Sequence, residues 1–143
     1  MAALPQTDVR ARLLAAGVGS PALVAADVYL GIEVPSSTQE GAGTVPDRAV
    51  FCRELAGTEP NRHHDGTSYR QAIVLVSVRS AKDAYAAGVL LAEAVWGALE
   101  KSTLSADYVL TGCEATQSSF AYGGTDEVGR HRWHCAFRCI FVA

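Results

Sequence analysis

The sequence predicts an α+β fold in which about five mostly antiparallel strands form one sheet, with two helices packed on one face and the element order α-β-β-β-α-β-β. Three stretches support this prediction. Residues 72–78 are a β-branched apolar run, typical of a central strand covered on both faces. Residues 81–101 carry apolar side chains at helical spacing, and residues 130–142 alternate with the period of two that a sheet requires.

Length and composition favour a single domain over residues 1–143. Of these residues 49% are hydrophobic and 19% are charged, which is enough to bury one core. The net charge of −3 provides no basic field for nucleic acid or an anionic membrane. No apolar run reaches the roughly 18 to 20 residues of a membrane span, and the N-terminus lacks the order of a signal peptide. We therefore expect a protein made in a cytoplasm, with no membrane partner and no direct sequence-specific nucleic-acid partner.

The first half of the chain predicts one helix and two strands. Thr7 is suited to cap a helix over residues 8–16 that ends at Gly17. Residues 27–34 predict a first strand, and residues 48–55 predict a second. The helix positions predicted to be buried are Val9, Leu13 and Ala16, and the first-strand positions that share one side are Val28, Leu30 and Ile32.

Residues 17–22 match the spacing of a glycine motif that binds dinucleotides, GxGxxA. Such a site needs a strand before the motif and a helix that opens on it, whereas here the predicted helix comes first. The run therefore predicts the end of a helix and a turn, and it predicts no nucleotide site.

Two long polar segments interrupt the predicted strands. Residues 36–47 are small, polar and glycine-rich, and residues 56–68 include an Asp-Gly turn signal. Loops longer than about 12 residues are usually functional or disordered. We expect both segments to be mobile in a free subunit and to become ordered against a neighbouring chain.

The second half predicts a long helix followed by two strands that pair like a hairpin. Ser80 is suited to cap the helix. The fourth strand is predicted over residues 107–117, and residues 118–129 join it to the last strand with Gly123 and Gly124 at the tip. The helix positions predicted to face the sheet are Ala84, Tyr85, Gly88, Val89, Leu91, Ala92, Val95, Trp96 and Leu99, and those predicted to face water are Lys82, Asp83, Glu93 and Glu100.

The last predicted strand has two unlike faces. Its odd-numbered positions from Trp133 to Phe141 are aromatic residues and cysteines, which predicts the core face. Its even-numbered positions from Arg132 to Val142 mix basic and apolar side chains. Such a mixture occurs on a face partly covered by another chain and equally on an ordinary solvated face.

The histidines and cysteines do not predict a metal site. His134 and Cys135 would point to opposite faces of a strand, and Cys135 and Cys139 would lie roughly 13 Å apart on one face. That separation is too large for one ion with bonds of roughly 2.3 Å. All four cysteines lie in apolar or strand-like contexts, which predicts reduced, buried thiols. We expect no metal and no cofactor.

The sequence carries no recognisable catalytic motif. It has no GxSxG elbow and no P-loop, and Asp126 and Glu127 are predicted to lie at a solvated loop tip. Cys113 could act as a nucleophile with a histidine, but a thiol within a strand is more often a core residue. We therefore expect no enzyme activity.

A set of short segments spans nearly the whole chain in a characteristic order. The segments are Leu13-Leu14 before Gly17, Val28-Tyr29-Leu30-Gly31, Pro46-Asp47-Arg48-Ala49-Val50, Val74-Leu75-Val76-Ser77-Val78-Arg79, the alanine-rich helix, and Gly129-Arg130-His131-Arg132-Trp133 running into Phe137. This arrangement resembles the tail-terminator and tail-completion proteins of long-tailed bacteriophages. The resemblance implies a homohexameric ring in the virion that caps the head-proximal end of the tail tube and stops tube polymerisation. The implied partners are the tail tube protein and a neck or connector protein of the capsid, and no enzyme activity is implied.

A ring requires each subunit to present two different patches that join head to tail. The mixed face of the last strand and the polar loops predict these interface residues: Arg62, His63, His64, Asp65, Arg132, His134 and Arg138. Two alternatives stay open. One is another neck or head-tail joining protein of the same fold. The other is a small-ligand-binding or catalytic α+β domain that uses a cavity between sheet and helix near Tyr85, Trp96 and Trp133.

Overall fold

A computed structural model describes residues 5–31, 46–55, 61–62, 66, 68–100 and 110–142, and at residues 61–62, 68–70, 110–111 and 141–142 it describes the backbone alone. Helix α1 spans Pro5–Ala16, a short 3-10 turn spans Ala25–Asp27, and helix α2 spans Tyr85–Leu99. The strands are β1 (Val28–Leu30), β2 (Ala49–Leu55), β3 (Asn61–Arg62), β4 (Ser68–Ser80), β5 (Leu110–Ala115), β6 (Ala121–Thr125) and β7 (His131–Val142).

The strands form one mixed sheet with β4 at its centre. The main path is β1-β2-β4-β7-β5, while β3 pairs with β4 and β6 pairs with β7. β1 runs parallel to β2, and the other pairings that the structure describes are antiparallel. The five strands of the main path are the five that the sequence predicts, so the α+β class, the element order and the central position of β4 are confirmed. β3 and β6 are two short strands that the sequence prediction lacks.

Both helices pack on one face of the sheet, which we call the core face. α1 contributes Val9 and Leu13, and α2 contributes Leu91, Val95 and Leu99, all of them buried. The buried strand residues on this face are Val28, Val50, Cys52, Ala72, Val74, Val76, Val78, Cys113, Trp133, Cys135, Phe137 and Cys139. Burying one such aliphatic or aromatic side chain contributes about 1.5–3 kcal/mol. The core face therefore supplies most of the driving force for folding, and the predicted core side of the last strand is confirmed from Trp133 to Cys139.

Gly88 allows α2 to lie close to the sheet. A Cβ atom at this position would come within 2.4 Å of the Trp133 ring and 2.6 Å of the Ser80 Oγ. Because real Cβ atoms do not approach other atoms so closely, a larger residue here would push the helix and the sheet apart. The buried positions of α2 agree with the stripe that the sequence predicts, and they are Gly88, Leu91, Ala92, Val95 and Leu99.

The start of α1 differs from the sequence prediction. The helix begins at Pro5, so Thr7 lies inside it and not at its N-cap. Proline suits the first turn because a backbone N–H there would have no partner within the helix. Ala16, predicted to be buried, is exposed, whereas the predicted stop at Gly17 is confirmed by a φ of 62°.

The start of α2 also differs, because strand pairing extends further than the sequence predicts. Ser80 pairs with His131 and is the last residue of β4, so it does not cap the helix. The helix instead follows Ala84, which makes no side-chain capping bond. Within the described ranges, neither helix is long and apolar enough to cross a membrane.

Two side chains of the helices cover backbone groups at the edges of the sheet. The Arg10 Nε donates a hydrogen bond to the Val28 carbonyl at 2.9 Å. Glu100, predicted to face water, is half-buried, and its Oε2 accepts a hydrogen bond from the Ala115 backbone N–H at 2.7 Å. Capped edges of this kind resist unwanted strand pairing.

The connection between β5 and β7 differs most from the prediction. Gly123 and Gly124 lie within β6, which pairs with β7, and the tip of the hairpin is the turn at residues 126–129. The pairing shifts register between Tyr122 and Thr125, where Gly124 has a φ of 85°. This is a bulge that glycine accommodates and that the apolar alternation of the sequence does not reveal.

Other differences concern the extent of burial and the polar segments. Leu30, placed by the sequence on the same side as Val28, is exposed. Ile73 and Leu75 on the outer face of β4 are half-buried, so this face is fully covered only towards Ser77 and Arg79. Within the predicted loop at residues 56–68, the backbone of β3 pairs with residues 68–69. Residues 32–45, 56–60 and 63–65 lie outside the described residues. The prediction that the polar segments are mobile therefore concerns residues that the structure does not describe.

Candidate functional site

The face of the sheet opposite the helices, which we call the outer face, carries the charged side chains that the sequence singles out. β2, β4 and β7 present their alternate residues here, and they enclose a depression of about 480 Å³. The residues that line it are Gly31, Phe51, Arg53, Leu75, Ser77, Thr125, Asp126, Glu127, Arg132 and His134. In the described part of the chain neither helix packs on this face.

Three of the predicted interface residues lie together on the outer face. Arg132 and His134 are half-buried in the wall of the depression, and Arg138 is exposed further along β7. Arg62 belongs to β3, but its side chain is outside the described residues, as are His63, His64 and Asp65. The structure therefore brings together the β7 group of candidates and does not test the loop group.

His134 is held in place by contacts on two neighbouring strands. Its Nδ1 lies 2.8 Å from the Ser77 Oγ on β4. On its other side β6 passes so close that a Cβ atom at Gly123 would lie 2.7 Å from the imidazole ring. The ring is therefore fixed in position by the sheet.

Arg53 is an outer-face residue that the sequence prediction missed. Its side chain is half-buried in the depression, and its Nε has no hydrogen-bond partner among the described residues. Cys52, which precedes it, faces the core. The alternation of β2 therefore places Arg53 on the same face as Arg132, which the sequence signal alone could have indicated.

Two other arginines stabilise the fold at one end of the sheet. Arg79 is fully buried, stacks on Phe51 with its guanidinium 5.1 Å from the ring centroid, and donates to the carbonyls of Pro46 and Asp47 at 2.8 and 3.1 Å. Arg130 is also buried and donates from its Nε to the Asp126 Oδ2 at 2.7 Å. Both are tied to backbone or carboxylate groups, as buried charges must be.

Asp126 anchors the turn between β6 and β7, although the sequence predicted a solvated tip. Its Oδ1 accepts hydrogen bonds from the backbone N–H groups of Val128 and Arg130 at 3.0 and 2.9 Å. Burial opposes ionisation of this carboxyl, but the backbone N–H and the guanidinium of Arg130 outweigh it and hold the pKa of Asp126 below its ordinary value. Asp126 is therefore a structural anion.

A second concave surface, which we call the aromatic groove, lies on the helix side between α2 and β6. Its volume is about 540 Å³. The residues that line it are Tyr85, Val89, Ala92, Glu93, Trp96, Ser118, Ser119, Phe120, Tyr122 and Trp133. This is the cavity near Tyr85, Trp96 and Trp133 that the sequence predicted as an alternative site, but Tyr85, predicted to face the sheet, is 49% exposed.

The rings of the aromatic groove are placed by direct contacts. Tyr85, Tyr122 and Trp133 have their ring centroids 5.5 Å from one another. The His131 Nε2 donates to the Lys82 carbonyl at 3.0 Å, and its Nδ1 forms a hydrogen bond of 2.8 Å with the Tyr122 hydroxyl. The sequence prediction did not place Tyr122 at this cavity, because it did not include β6.

The cysteines lie in the protein interior. All four are free and buried, which confirms the sequence prediction. Burial raises the pKa of Cys52 to about 12 and that of Cys135 to about 11. A hydrogen bond with Cys139, together with burial, also raises the pKa of Cys113. Among the described residues no three histidines, cysteines or carboxylates converge as a metal site.

Comparison with known proteins yields a similarity of fold. The sequence matches no protein-family model and none of the curated proteins. The structure is similar to a chain of a solved structure described as the virion of a native gene transfer agent (GTA) particle, with a TM-score of 0.59 and 17% sequence identity. The alignment covers 97% of this chain and 95% of that chain. At this identity the two chains share a fold over nearly their whole length.

Proposed function

We propose that this protein is a structural component of a phage or phage-like virion. The observation that carries the proposal is the shared fold with a chain of a gene transfer agent virion, over nearly the full length of both chains. The resemblance of its sequence segments to bacteriophage tail proteins supports the same class. The proposal includes no enzyme activity and no cofactor.

Within that class we propose the role of a tail terminator. The protein forms a homohexameric ring that caps the head-proximal end of the tail tube, stops its polymerisation and joins the tail to the capsid neck. Its partners are other copies of itself, the tail tube protein and a neck or connector protein. The shape of the subunit supports a ring, because its outer face and its aromatic groove are two different surfaces on opposite sides of one sheet.

The outer face is proposed to be an interface in that assembly. Arg132, His134 and Arg138 lie along one strand of a sheet face on which neither described helix packs. Half-buried apolar side chains such as Leu75 and Ile73 lie next to them. Interfaces commonly combine arginine with apolar area in this way. The loop residues 62–65 are proposed to extend the same interface.

Light scattering coupled to size-exclusion chromatography tests the ring. We expect a mass of several 15.1-kDa subunits for the pure chain, or for the chain mixed with its tail tube protein. A subunit mass under both conditions would rule out the ring while leaving other virion stations open.

A small-ligand-binding protein is the second candidate, because the aromatic groove exists where the sequence placed such a site. Its volume of about 540 Å³ is within the usual range of ligand pockets. A thermal-shift screen distinguishes the two candidates, since a ligand that binds only the folded chain raises its melting temperature. A monomer with a clear ligand-induced shift would favour this candidate over the ring.

A further inference from the structure

We propose that the aromatic groove of one copy receives an arginine side chain of the next copy, and that this arginine is Arg138. The inference rests on the ring assembly proposed above and assigns the contact that joins its subunits. It joins the helix side of one copy to the outer face of the next copy.

The chemistry of the aromatic groove is suited to a cation. Five of the residues that line it are aromatic, and the faces of aromatic rings attract positive charge. Glu93 is exposed at its edge and has no ion-pair partner among the described residues. None of the residues that line the groove is basic. A planar guanidinium can stack on the rings and pair with the carboxylate at the same time.

The groove is largely formed before any partner binds. The Trp96 Nε1 donates to the Gln117 carbonyl at 2.9 Å, and Tyr122 is held by its bond to His131. Side chains already fixed in this way lose little conformational freedom on binding. The exposed edges of Tyr85 and Tyr122 are therefore ready contact surfaces.

Arg138 is the outer-face arginine best able to reach a neighbour. Its side chain is 46% exposed, and its ion pair with Glu114 is long, at 4.0 Å, and solvated. Such exposed ion pairs contribute little to the free energy of folding, so Arg138 can leave Glu114 for another partner. Arg53 and Arg132 are half-buried in the depression and project less far.

Because the aromatic groove and Arg138 lie on opposite sides of the sheet, a contact between them joins two copies head to tail. Trp133 lies in the groove and Arg138 lies on the outer face, because odd and even residues of β7 point to opposite sides. A contact between opposite sides of identical subunits is heterologous and closes into a ring when the rotation permits. Arg12, also exposed, lies on the helix side and would not give this arrangement.

A charge swap tests the proposal. Glu93→Arg and Arg138→Glu are each expected to raise the protein concentration at which half of the chains are assembled by at least tenfold, measured by light scattering. The double variant is expected to restore assembly to within about threefold of the parent, since the pair is re-formed with its charges exchanged. Glu54→Arg is the matched control, because Glu54 is also exposed but lies towards the far edge of the sheet. This variant should assemble like the parent.

Each other outcome contradicts the proposal in a recognisable way. If both single variants assemble like the parent, the ring stands and the contact is wrong. If the single variants fail and the double variant does not recover, Arg138 is not the partner of the groove. If the parent itself stays at the subunit mass, both alone and mixed with the tail tube protein, copies of the chain do not make this contact. The virion role is then judged separately by particle assembly. Glu93→Gln and melting curves of every variant separate loss of the contact from loss of the fold.

Discussion

Asp8 shows how a single side chain makes stability depend on pH. It lies in α1 with 2% of its surface exposed, and neither carboxylate oxygen has a hydrogen-bond partner among the described residues. Burial favours the neutral acid and raises the pKa of Asp8 from 3.8 to about 6. The folded state therefore binds this proton more tightly than the unfolded state. The stabilisation is complete below about pH 4 and is lost as the pH rises through about 6.

Asp8→Asn should remove the loss of folding stability that the parent shows as the pH rises. At pH 7 we expect the variant to be more stable than the parent by on the order of 1–3 kcal/mol, because each pKa unit corresponds to about 1.4 kcal/mol. Near pH 4 the two should differ little. Urea denaturation at both pH values measures the effect, with Asp83→Asn on an exposed carboxylate as the control. A parent whose stability is flat between pH 4 and 7 would contradict the account.

Gly88→Ala tests the close approach of α2 to the sheet. Alanine favours a helix over glycine by about 1 kcal/mol, but here its Cβ would collide with Trp133. We expect a net loss of about 1–3 kcal/mol, the usual cost of overpacking. Gly97→Ala is the matched control, since a Cβ there meets no atom within 4 Å, and it should be neutral or stabilising. Equal effects of the two substitutions on the denaturation midpoint would argue against tight packing at Gly88.

At the scale of whole elements, periodicity in the sequence predicts the strands and helices whose apolar side chains are buried in the core. The apolar runs of β4 and α2 predict these elements because each is long and its pattern repeats. β6 could not be predicted in this way, because its sequence, AYGGT, is short and rich in glycine and becomes a strand only through pairing with β7. The predicted first residues of both helices were also wrong. α1 begins at Pro5, which suits a first turn, and the pairing of β4 with β7 extends to Ser80 before α2 begins.

Leu91→Ala measures how much α2 contributes to the core. Leu91 is buried beneath the helix, so we expect a loss of about 2–5 kcal/mol in the free energy of unfolding. Leu90 precedes it in the same helix and is 67% exposed. Leu90→Ala should therefore cost less than about 0.5 kcal/mol. Chemical denaturation of both variants gives the comparison, and a small loss for Leu91→Ala would mean that α2 does not cover the sheet.

For the molecule as a whole, the sequence predicted the charged outer face well and the aromatic groove in part. The alternation of β7 was enough to place Arg132, His134 and Arg138 on one face. The aromatic groove was predicted from Tyr85, Trp96 and Trp133, but its other wall is supplied by residues 118–122, whose position depends on β6. Contacts between segments distant in the chain leave no periodic signal, which is why this wall was not foreseen, whereas the alternation of β2 was sufficient to indicate Arg53.

Electron microscopy of particles assembled without this protein tests the central claim most directly. The role proposed here predicts tail tubes longer than normal and not joined to heads, with normal length and attachment restored when the parent chain is supplied. Particles that lack the chain but carry tails of normal length joined to their heads would contradict it.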